Sequence, residues 1–290
     1  MADYVEQTGT VGDNFQILNN RLAVSEEQRN ICVGQMMRLV CDRGAELGID
    51  GVYSEFDKML GGTEASDKAL LCKHICEIKG FFKELDEKNI FGEGEAAVAG
   101  THGRIAYVRN KRNDEVFLEF SKKLRGAKAH YATSFIDACE SVFNNACEFC
   151  ILPVENNTDG KLYPFYSMLD RYELRIFKIL RKENEDASES VNFALAGRCV
   201  DKSFDAGRLK RFEFSVVREE RDILEDVISV AKALGGRISS VGTLPVPYDD
   251  KRSKYYFAVD LRAADSVPMA LYMTMEYPRY TPIGLYTVNE

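Results

Sequence analysis

A polar segment at the end of an apolar run holds side chains suited to ligand chemistry. Residues 149–160 read FCILPVENNTDG, in which the apolar run ends at Glu155 and Asn156 and a glycine follows at Gly160. Open α/β sheets bind ligands at the carboxyl ends of their strands, so Glu155, Asn156 and Thr158 are candidate ligand-binding residues. The alternative is that these side chains cap the turn that leads to Gly160.

A second polar segment, residues 100–104, reads GTHGR. Loop amides that precede a helix can receive an anion, and an imidazole or a guanidinium can join them. Thr101, His102 and Arg104 are therefore further candidates, and we expect Arg104 to place positive charge beside the same crevice as Glu155. An exposed loop histidine without a role is the alternative interpretation of His102.

Two cysteine pairs have the spacing of metal or redox pairs. Cys72 and Cys76 lie one helical turn apart, but a metal needs a third and a fourth ligand, and Cys32 and Cys41 offer no paired spacing, so core packing is favoured. Cys147 and Cys150 lead into an apolar strand, where alternation would direct their sulfurs to opposite faces. We therefore predict free buried thiols and no metal site.

The composition is that of an ordinary soluble protein. The chain has 290 residues, 45% of them hydrophobic, and a formal net charge of −8. An acidic chain without a basic patch is not expected to bind nucleic acid or anionic membranes. Residues 1–10 do not resemble a leader, and no run approaches the roughly 18 apolar residues that span a bilayer. We expect a cytoplasmic protein.

Residues 1–92 are predicted to form a helical segment. The capping-box pattern SEEQ at 25–28 predicts a helix start, and apolar residues follow at helical spacing. The pair Gly61-Gly62 predicts a break in the chain. One continuous second helix is predicted by the apolar stripe Leu71, Ile75, Ile78, Phe82 and Leu85.

The remainder alternates between strands and helices. A single α/β lobe over 93–205 is predicted from an apolar run at 97–100, helices at 115–124 and 135–144, and strands at 149–154, 174–180 and 192–200. Residues 206–290 have the order β-α-β-β-α-β, which is typical of a split βαβ sandwich. Its elements are expected at 212–217, 222–234, 237–241, 255–261, 266–275 and 282–288. The fold class is thus α/β combined with α+β.

The segment PVENNTDG and its surroundings resemble the prephenate dehydratase family. In that family an apolar strand ends in Pro-Ile-Glu-Asn-Ser/Thr and a glycine follows. Residues 163–169 and 174–176 resemble the helix and strand that come next. Gly100 and Gly103 match the glycines of the family's Gly-Pro-x-Gly loop, where Arg104 and Ala106 replace two serines.

The resemblance implies a reaction that expels water and carbon dioxide from prephenate. The family's Thr-Arg-Phe segment supplies a proton donor and a carboxylate-binding guanidinium, and it corresponds here to Val191, Asn192 and Phe193. Valine cannot donate a proton, and asparagine is a neutral substitute for arginine. Asn192 is nevertheless a further ligand-binding candidate, which together with Arg104 and Glu155 could form a site for a small carboxylate. Residues 180–190 are also too few for the family's second lobe, because a βαβ unit needs about 30 residues. We expect a truncated catalytic domain with a degenerate active site.

Residues 206–290 resemble the ACT domain of dehydratases that phenylalanine inhibits. The family's Glu-Ser-Arg-Pro segment corresponds to Gly242, Thr243, Leu244 and Pro245, and its Gly-Ala-Leu-Val segment begins here at Asp222. A carboxylate at Asp222 would repel the carboxylate of an amino acid. We expect the sandwich to persist and to support a homodimer, with a degenerate phenylalanine site.

The N-terminal helices stand where bifunctional relatives carry a chorismate mutase domain. That mutase clamps its substrate with basic side chains, for which Arg21, Arg29, Arg38 and Lys79 are the available residues. Their spacing does not match the mutase pattern, so exposed helix faces are the favoured interpretation.

Three functions stay open at this point. The first is a catalytically impaired dehydratase relative linked to phenylalanine metabolism, which binds a small carboxylate such as a prephenate-like compound or an amino acid, or else a protein partner. The second is an active lyase of phenylalanine biosynthesis, either prephenate dehydratase or its fusion with chorismate mutase. The third is a scaffolding protein without a ligand. No organic cofactor is implied by any of them.

Overall fold

The chain begins with helices and then alternates between strands and helices. The computed structural model describes residues 11–91, 103–124, 126–183, 188–200, 208–217, 223–246 and 249–287. The helices are α1 Val11–Asp42, α2 Gly44–Leu60, α3 Ala65–Glu77, α4 Phe82–Glu87, α5 Lys111–Lys123, α6 Phe135–Phe143, α7 Tyr163–Arg171, α8 Ile223–Ala233 and α9 Ala263–Glu276. The strands are β1 Arg104–Val108, β2 Lys128–Ala132, β3 Phe149–Asn156, β4 Gly160–Lys161, β5 Arg175–Glu183, β6 Ser190–Gly197, β7 Leu209–Val217, β8 Arg237–Val246, β9 Asp249–Arg262 and β10 Thr281–Thr287. The predicted mixed α/β class is confirmed.

One mixed sheet runs through the lobe and the C-terminal region. Its strand order is β2-β1-β3-β6-β5-β10-β7-β9-β8, and β4 pairs with the end of β3. Within the lobe, β1 is parallel to β2 and β3, whereas β3, β6 and β5 are antiparallel in turn. The two parts join where β10 lies parallel to β5, with Gly284 opposite Ile176. Strands β5 and β6 are connected directly by residues 184–189, which are too few for a βαβ unit.

Both faces of the lobe sheet are covered by helices. Helix α5 packs Val116 and Phe120 against Ile105 and Ile151 on one face. Helices α6 and α7 cover the other face, where Cys150 and Leu152 are buried. Burial on both faces explains why the first half of β3 is a continuous apolar run rather than an alternating one.

The C-terminal region is the predicted split βαβ sandwich. Strands β10, β7, β9 and β8 are antiparallel, and α8 and α9 share a hydrophobic core with the apolar side of β7 and β9. Helix α9 is apolar on nearly every side, because α3 of the N-terminal region packs on α8 and α9 from outside. The Tyr53 hydroxyl and the Lys68 ammonium both donate to Glu276 at 2.9 Å, which ties the helical layers together.

Two expectations for the N-terminal helices are wrong. Helix α1 continues through residues 25–28, since Leu22, Ala23 and the glutamates are good helix formers and nothing breaks the chain before them. The second helix is interrupted, because α3 ends before Ile78 and a 3-10 turn covers Lys79–Phe81. That turn buries Phe81 rather than Phe82, and the Phe81 ring fills the space beside Gly44.

The predicted break at Gly61-Gly62 is confirmed. Helix α2 ends at Leu60, and Gly61 and Gly62 have φ of +63° and +128°, a region that favours glycine. The predicted apolar run at 97–100 lies outside the described residues. No helix in the described ranges is long and apolar enough to cross a membrane.

The junction between β5 and β10 depends on the small size of residue 284. A Cβ added to Gly284 would lie 2.7 Å from the Ile176 Cβ and 3.0 Å from the Ile176 carbonyl oxygen. We predict that Gly284→Ala lowers the free energy of unfolding by about 2 kcal/mol, because neither atom can move without displacing β5. Chemical denaturation measures this change.

Gly242→Ala is the matched control for the junction. Gly242 also lies in a strand of the C-terminal sheet, but its nearest neighbour would be the Tyr163 hydroxyl at 3.7 Å. Its substitution should change stability by no more than about 0.5 kcal/mol. Equal effects of the two substitutions would contradict the packing argument.

Candidate functional site

Glu155 and Asn192 face each other across β3 and β6. The register shifts between Pro153 and Glu155, which brings Glu155 opposite Asn192. The Asn192 side-chain amide donates to Glu155 Oε2 at 3.0 Å. Two of the candidate residues are therefore brought together at the end of β3, as a carboxylate and an amide that already bind each other.

Asn156 caps the turn between β3 and β4. Its side-chain oxygen accepts hydrogen bonds from the backbone amides of Thr158 at 3.0 Å and Asp159 at 2.5 Å. Its amide donates to the Asp159 carboxylate at 2.9 Å, and Gly160 follows with φ of +70°. The Thr158 residue is exposed. The turn-capping interpretation is confirmed for Asn156.

Arg104 lies far from Glu155, so the expectation of a shared crevice is wrong. Ile105 pairs with Phe149 in parallel, and the Arg104 backbone amide donates to the carboxylate of Glu148, which precedes β3. Glu155 lies at the opposite end of β3, roughly 20 Å away at 3.3 Å per residue. Thr101 and His102 lie outside the described residues.

The loop that reaches the Glu155 edge is the one that follows β1. There Asn110 accepts a hydrogen bond from the Asn113 amide at 2.8 Å and caps α5. The Arg109 guanidinium lies over the Tyr131 ring, 4.9 Å from its centroid. The apolar stretch IAYV at residues 105–108 is the sequence signal for β1, a strand that was not among the elements predicted from the sequence.

Val191 points away from the Glu155 carboxylate. It is 6% exposed and packs with Phe193 and Leu195 in the cluster on the α5 side of the sheet. Neighbouring residues of a strand point to opposite faces, so Val191 and Asn192 cannot share one site. A side chain at position 191 contributes to the core of the lobe rather than to the crevice.

A buried charged cluster next to the Glu155 edge of the sheet was not predicted from the sequence. The Glu213 carboxylate, 1% exposed, accepts hydrogen bonds from the hydroxyls of Tyr286 at 2.7 Å and Tyr166 at 3.2 Å. The Lys161 ammonium lies 3.3 Å from the same carboxylate and 4.4 Å from the centroid of the Tyr256 ring. Lys161 belongs to β4 and pairs with Glu155, so the cluster adjoins the Glu155–Asn192 pair.

The cluster keeps Glu213 ionised inside the protein. Burial raises the pKa of a carboxyl group, but the Lys161 charge and the hydrogen bonds from its neighbours outweigh this effect and lower the pKa of Glu213. Burial also raises the pKa of Tyr166, Tyr256 and Tyr286, so these hydroxyls stay protonated. In the sequence, Glu213 lies between Phe212 and Phe214, and this alternation predicts an exposed glutamate. The pattern does not reveal that β4 and α7 cover this face of the sheet.

The ACT-like positions lie on β8, the last strand of the sheet. Gly242 pairs with Tyr256 and Thr243 with Tyr255 on β9, and Leu244 and Pro245 continue the strand. Asp222 lies outside the described residues. The phenylalanine site therefore stays a prediction.

Six of the eight cysteines are buried, whereas Cys32 is exposed and Cys76 is partly buried, so the prediction of buried thiols is wrong for Cys32. The predicted orientation of Cys147 and Cys150 to opposite faces is also wrong. Cys147 and Cys150 both pack in the cluster under α6 and α7, because Cys147 precedes β3 and does not follow its alternation. Cys72 is buried and Cys76 partly buried. Burial raises the pKa of Cys76 to about 12 and of Cys72 further. The described residues contain no group of three or more His, Cys, Asp or Glu side chains that could hold a metal.

The basic side chains of the N-terminal helices do not converge. Arg29 binds the Asp67 carboxylate through two nitrogens at 2.6 and 3.3 Å. Arg21, Arg38 and Lys79 are exposed. This arrangement supports the interpretation of these residues as helix surface.

We predict that Lys161→Met destabilises the protein by about 3 kcal/mol at neutral pH, since it leaves the Glu213 carboxylate buried without a cation. In the wild type the depressed pKa of Glu213 stabilises the fold above the ordinary glutamate pKa, and this contribution is lost as the pH falls through the folded value. In the variant the pKa of Glu213 should rise, so acidification restores stability. The difference in unfolding free energy between the two proteins should shrink toward about pH 4.

The double variant Lys161→Met/Glu213→Gln separates charge from packing. It removes both charges, so at neutral pH its free energy of unfolding should be higher than that of the single variant. This difference in unfolding free energy between the double and the single variant should vanish on acidification. A pH-independent difference between the single variant and the wild type would mean that Glu213 is not the ionised partner of Lys161.

Comparison with known proteins supports the fold at the level of three-dimensional structure. No family profile and no curated protein matches the sequence. Prephenate dehydratase from Streptococcus mutans has 14% identity and a TM-score of 0.50, and the match covers 64% of this chain and 99% of that one. Prephenate dehydratase from Arthrobacter aurescens in complex with L-Phe has 12% identity and a TM-score of 0.50, with coverages of 64% and 90%.

A structure described as a novel type of quorum quenching acylase has 13% identity, coverages of 64% and 95%, and a TM-score of 0.47, too low to support an argument. At identities this low, the likeness to the two dehydratases concerns the fold alone. The chain thus has a fold similar to that of prephenate dehydratases.

Proposed function

We propose that this protein is a divergent, catalytically impaired relative of prephenate dehydratases that binds a small carboxylate in phenylalanine metabolism. The observation that carries the proposal is the hydrogen bond between Asn192 and Glu155 at 3.0 Å, beside a buried Val191. These positions correspond, in the resemblance, to the family's carboxylate-binding arginine and proton-donating threonine. Here Asn192 supplies an amide that is already engaged, and Val191 lies in the core on the opposite face of the sheet and supplies nothing to the crevice.

Dehydration of prephenate needs a proton donor beside the departing hydroxyl and cations for two carboxylates. Glu155 adds negative charge to the crevice, which disfavours a dianion. The adjacent Lys161 ammonium is committed to Glu213 and to the Tyr166 hydroxyl, at 3.3 and 3.0 Å. The balance of charge therefore supports weak binding of a singly charged ligand over turnover of a dianionic one.

The ligand class that we propose includes amino acids. One of the similar dehydratase structures contains L-Phe, which supports phenylalanine as the first compound to test. We also propose a homodimer that forms through the C-terminal sheet, in which β8 is the last strand. A free strand edge offers backbone groups for pairing with a second copy.

The proposal is tested by a turnover assay of the purified chain with prephenate, in which formation of phenylpyruvate is followed. We expect a rate no greater than that of prephenate in buffer alone, because the crevice lacks a positioned acid. Thermal unfolding should show a saturable rise in Tm with phenylalanine and a smaller rise with prephenate, because the crevice disfavours a dianion.

Two variants make the result specific. Glu155→Ala should alter the ligand-induced rise in Tm, whereas Glu148→Ala, at the opposite end of β3, should not. Enzymatic turnover that Glu155→Ala abolishes and Glu148→Ala preserves would overturn the proposal and establish an active dehydratase. No turnover and no rise in Tm would favour a protein partner instead.

A further inference from the structure

Arg175 is a largely buried cation whose hydrogen-bonding capacity is only partly used. It begins β5, and one of its terminal nitrogens donates to the Leu174 carbonyl oxygen at 3.0 Å. Its Nε is buried and has no hydrogen-bond partner in the described structure. Burial lowers the pKa of Arg175 from its ordinary value. A guanidinium carries five donors, and leaving one unsatisfied in the interior costs free energy.

The nearest acidic side chains do not neutralise this guanidinium. Asp170 and Glu173 both interact with Arg175 electrostatically. The Asp170 carboxylate is bound through both oxygens by Lys254, at 2.9 and 3.0 Å. Glu173 is exposed to solvent. Positive charge therefore remains available at Arg175.

A cavity of about 260 Å³ adjoins Arg175 between the end of α4, the end of α9 and the start of β10. Its remaining lining residues are Asn89, Thr274, Tyr277, Pro278, Tyr280, Thr281 and Pro282. The Tyr277 and Tyr280 hydroxyls donate to Asp226 and to the Ile90 carbonyl oxygen, both at 2.6 Å. The lining thus combines two tyrosines and two prolines with the polar side chains of Arg175, Asn89 and two threonines.

We propose that Arg175 anchors a binding site for a small monocarboxylate with a compact apolar or aromatic group, which occupies this cavity. A carboxylate is the group that matches the planar donor pattern of a guanidinium. The cavity is open to solvent and is far larger than the 10–15 Å³ or so that one water needs, so it has room for a small organic ligand. A smaller cavity of about 20 Å³, lined by Ser215 and Lys254, also adjoins Arg175. A water bound there could accept a hydrogen bond from Nε, which is the competing explanation of this unpaired donor.

This site is separate from the one in the proposed function. Arg175 pairs with Gly197 on β6, and Gly197 pairs with Phe149 at the start of β3. It therefore lies at the edge of the sheet opposite to Glu155. The two sites can be tested independently.

The test uses the full chain and fluorine NMR with 4-fluorobenzoate, with neutral 4-fluorobenzamide as the comparison probe. We expect saturable binding of the benzoate to the wild type, with a Kd on the order of 1 mM for so small a ligand, and much weaker binding of the benzamide. Arg175→Met should weaken benzoate binding about tenfold or more, because it removes the charge-assisted hydrogen bonds. It should fold, since it replaces an incompletely paired buried cation with an apolar side chain.

Two further variants define the site. Arg181→Met removes an exposed arginine from the same strand and should leave binding unchanged. Thr274→Phe fills the cavity without removing the guanidinium, and it should abolish binding even if Arg175→Met proves unstable. Lack of saturation with the wild type up to about 10 mM, equal binding of the benzamide, or unchanged binding by Arg175→Met would each overturn the proposal.

Discussion

The parallel contact between β5 and β10 is the constraint on which the rest of the architecture depends. Gly284 meets Ile176 so closely that a side chain at position 284 would collide with the neighbouring strand. This contact merges the lobe sheet and the C-terminal sheet into one. As a result, the face of the C-terminal sheet opposite its own helices lies against α7 and β4 instead of solvent. The buried Glu213 cluster is a direct consequence.

The two faces of the C-terminal sheet are thus covered by different parts of the chain. On one face, α8 and α9 pack on the sheet, and the N-terminal helices pack on them in turn. The Glu276 carboxylate accepts hydrogen bonds from Tyr53 and Lys68 across that outer boundary. On the other face, Lys161 and Tyr166 of the lobe reach Glu213. Charged pairs at both boundaries have specific geometry, which apolar packing alone would not impose.

At the crevice at the end of β3, similarity of fold and identity of side chains have to be considered separately. The three-dimensional similarity to dehydratases concerns backbone architecture, and the residues in the crevice form contacts with one another. Glu155 is held by Asn192, while Val191 belongs to the core on the opposite face. Function depends on such side chains rather than on the strand order, so the fold by itself does not assign an activity.

The sequence by itself determined the types and order of most elements, because apolar periodicity and glycine breaks are local properties. It predicted the βαββαβ order and the break at Gly61-Gly62. It also gave turn capping as one of two possible roles of Asn156. Only the tertiary structure decided that Arg104 and Glu155 lie at opposite edges, that Glu213 is buried, and that the second N-terminal helix breaks at Ile78. Each of these depends on which distant segment packs against a residue, and a pattern of neighbours along the chain does not contain that information.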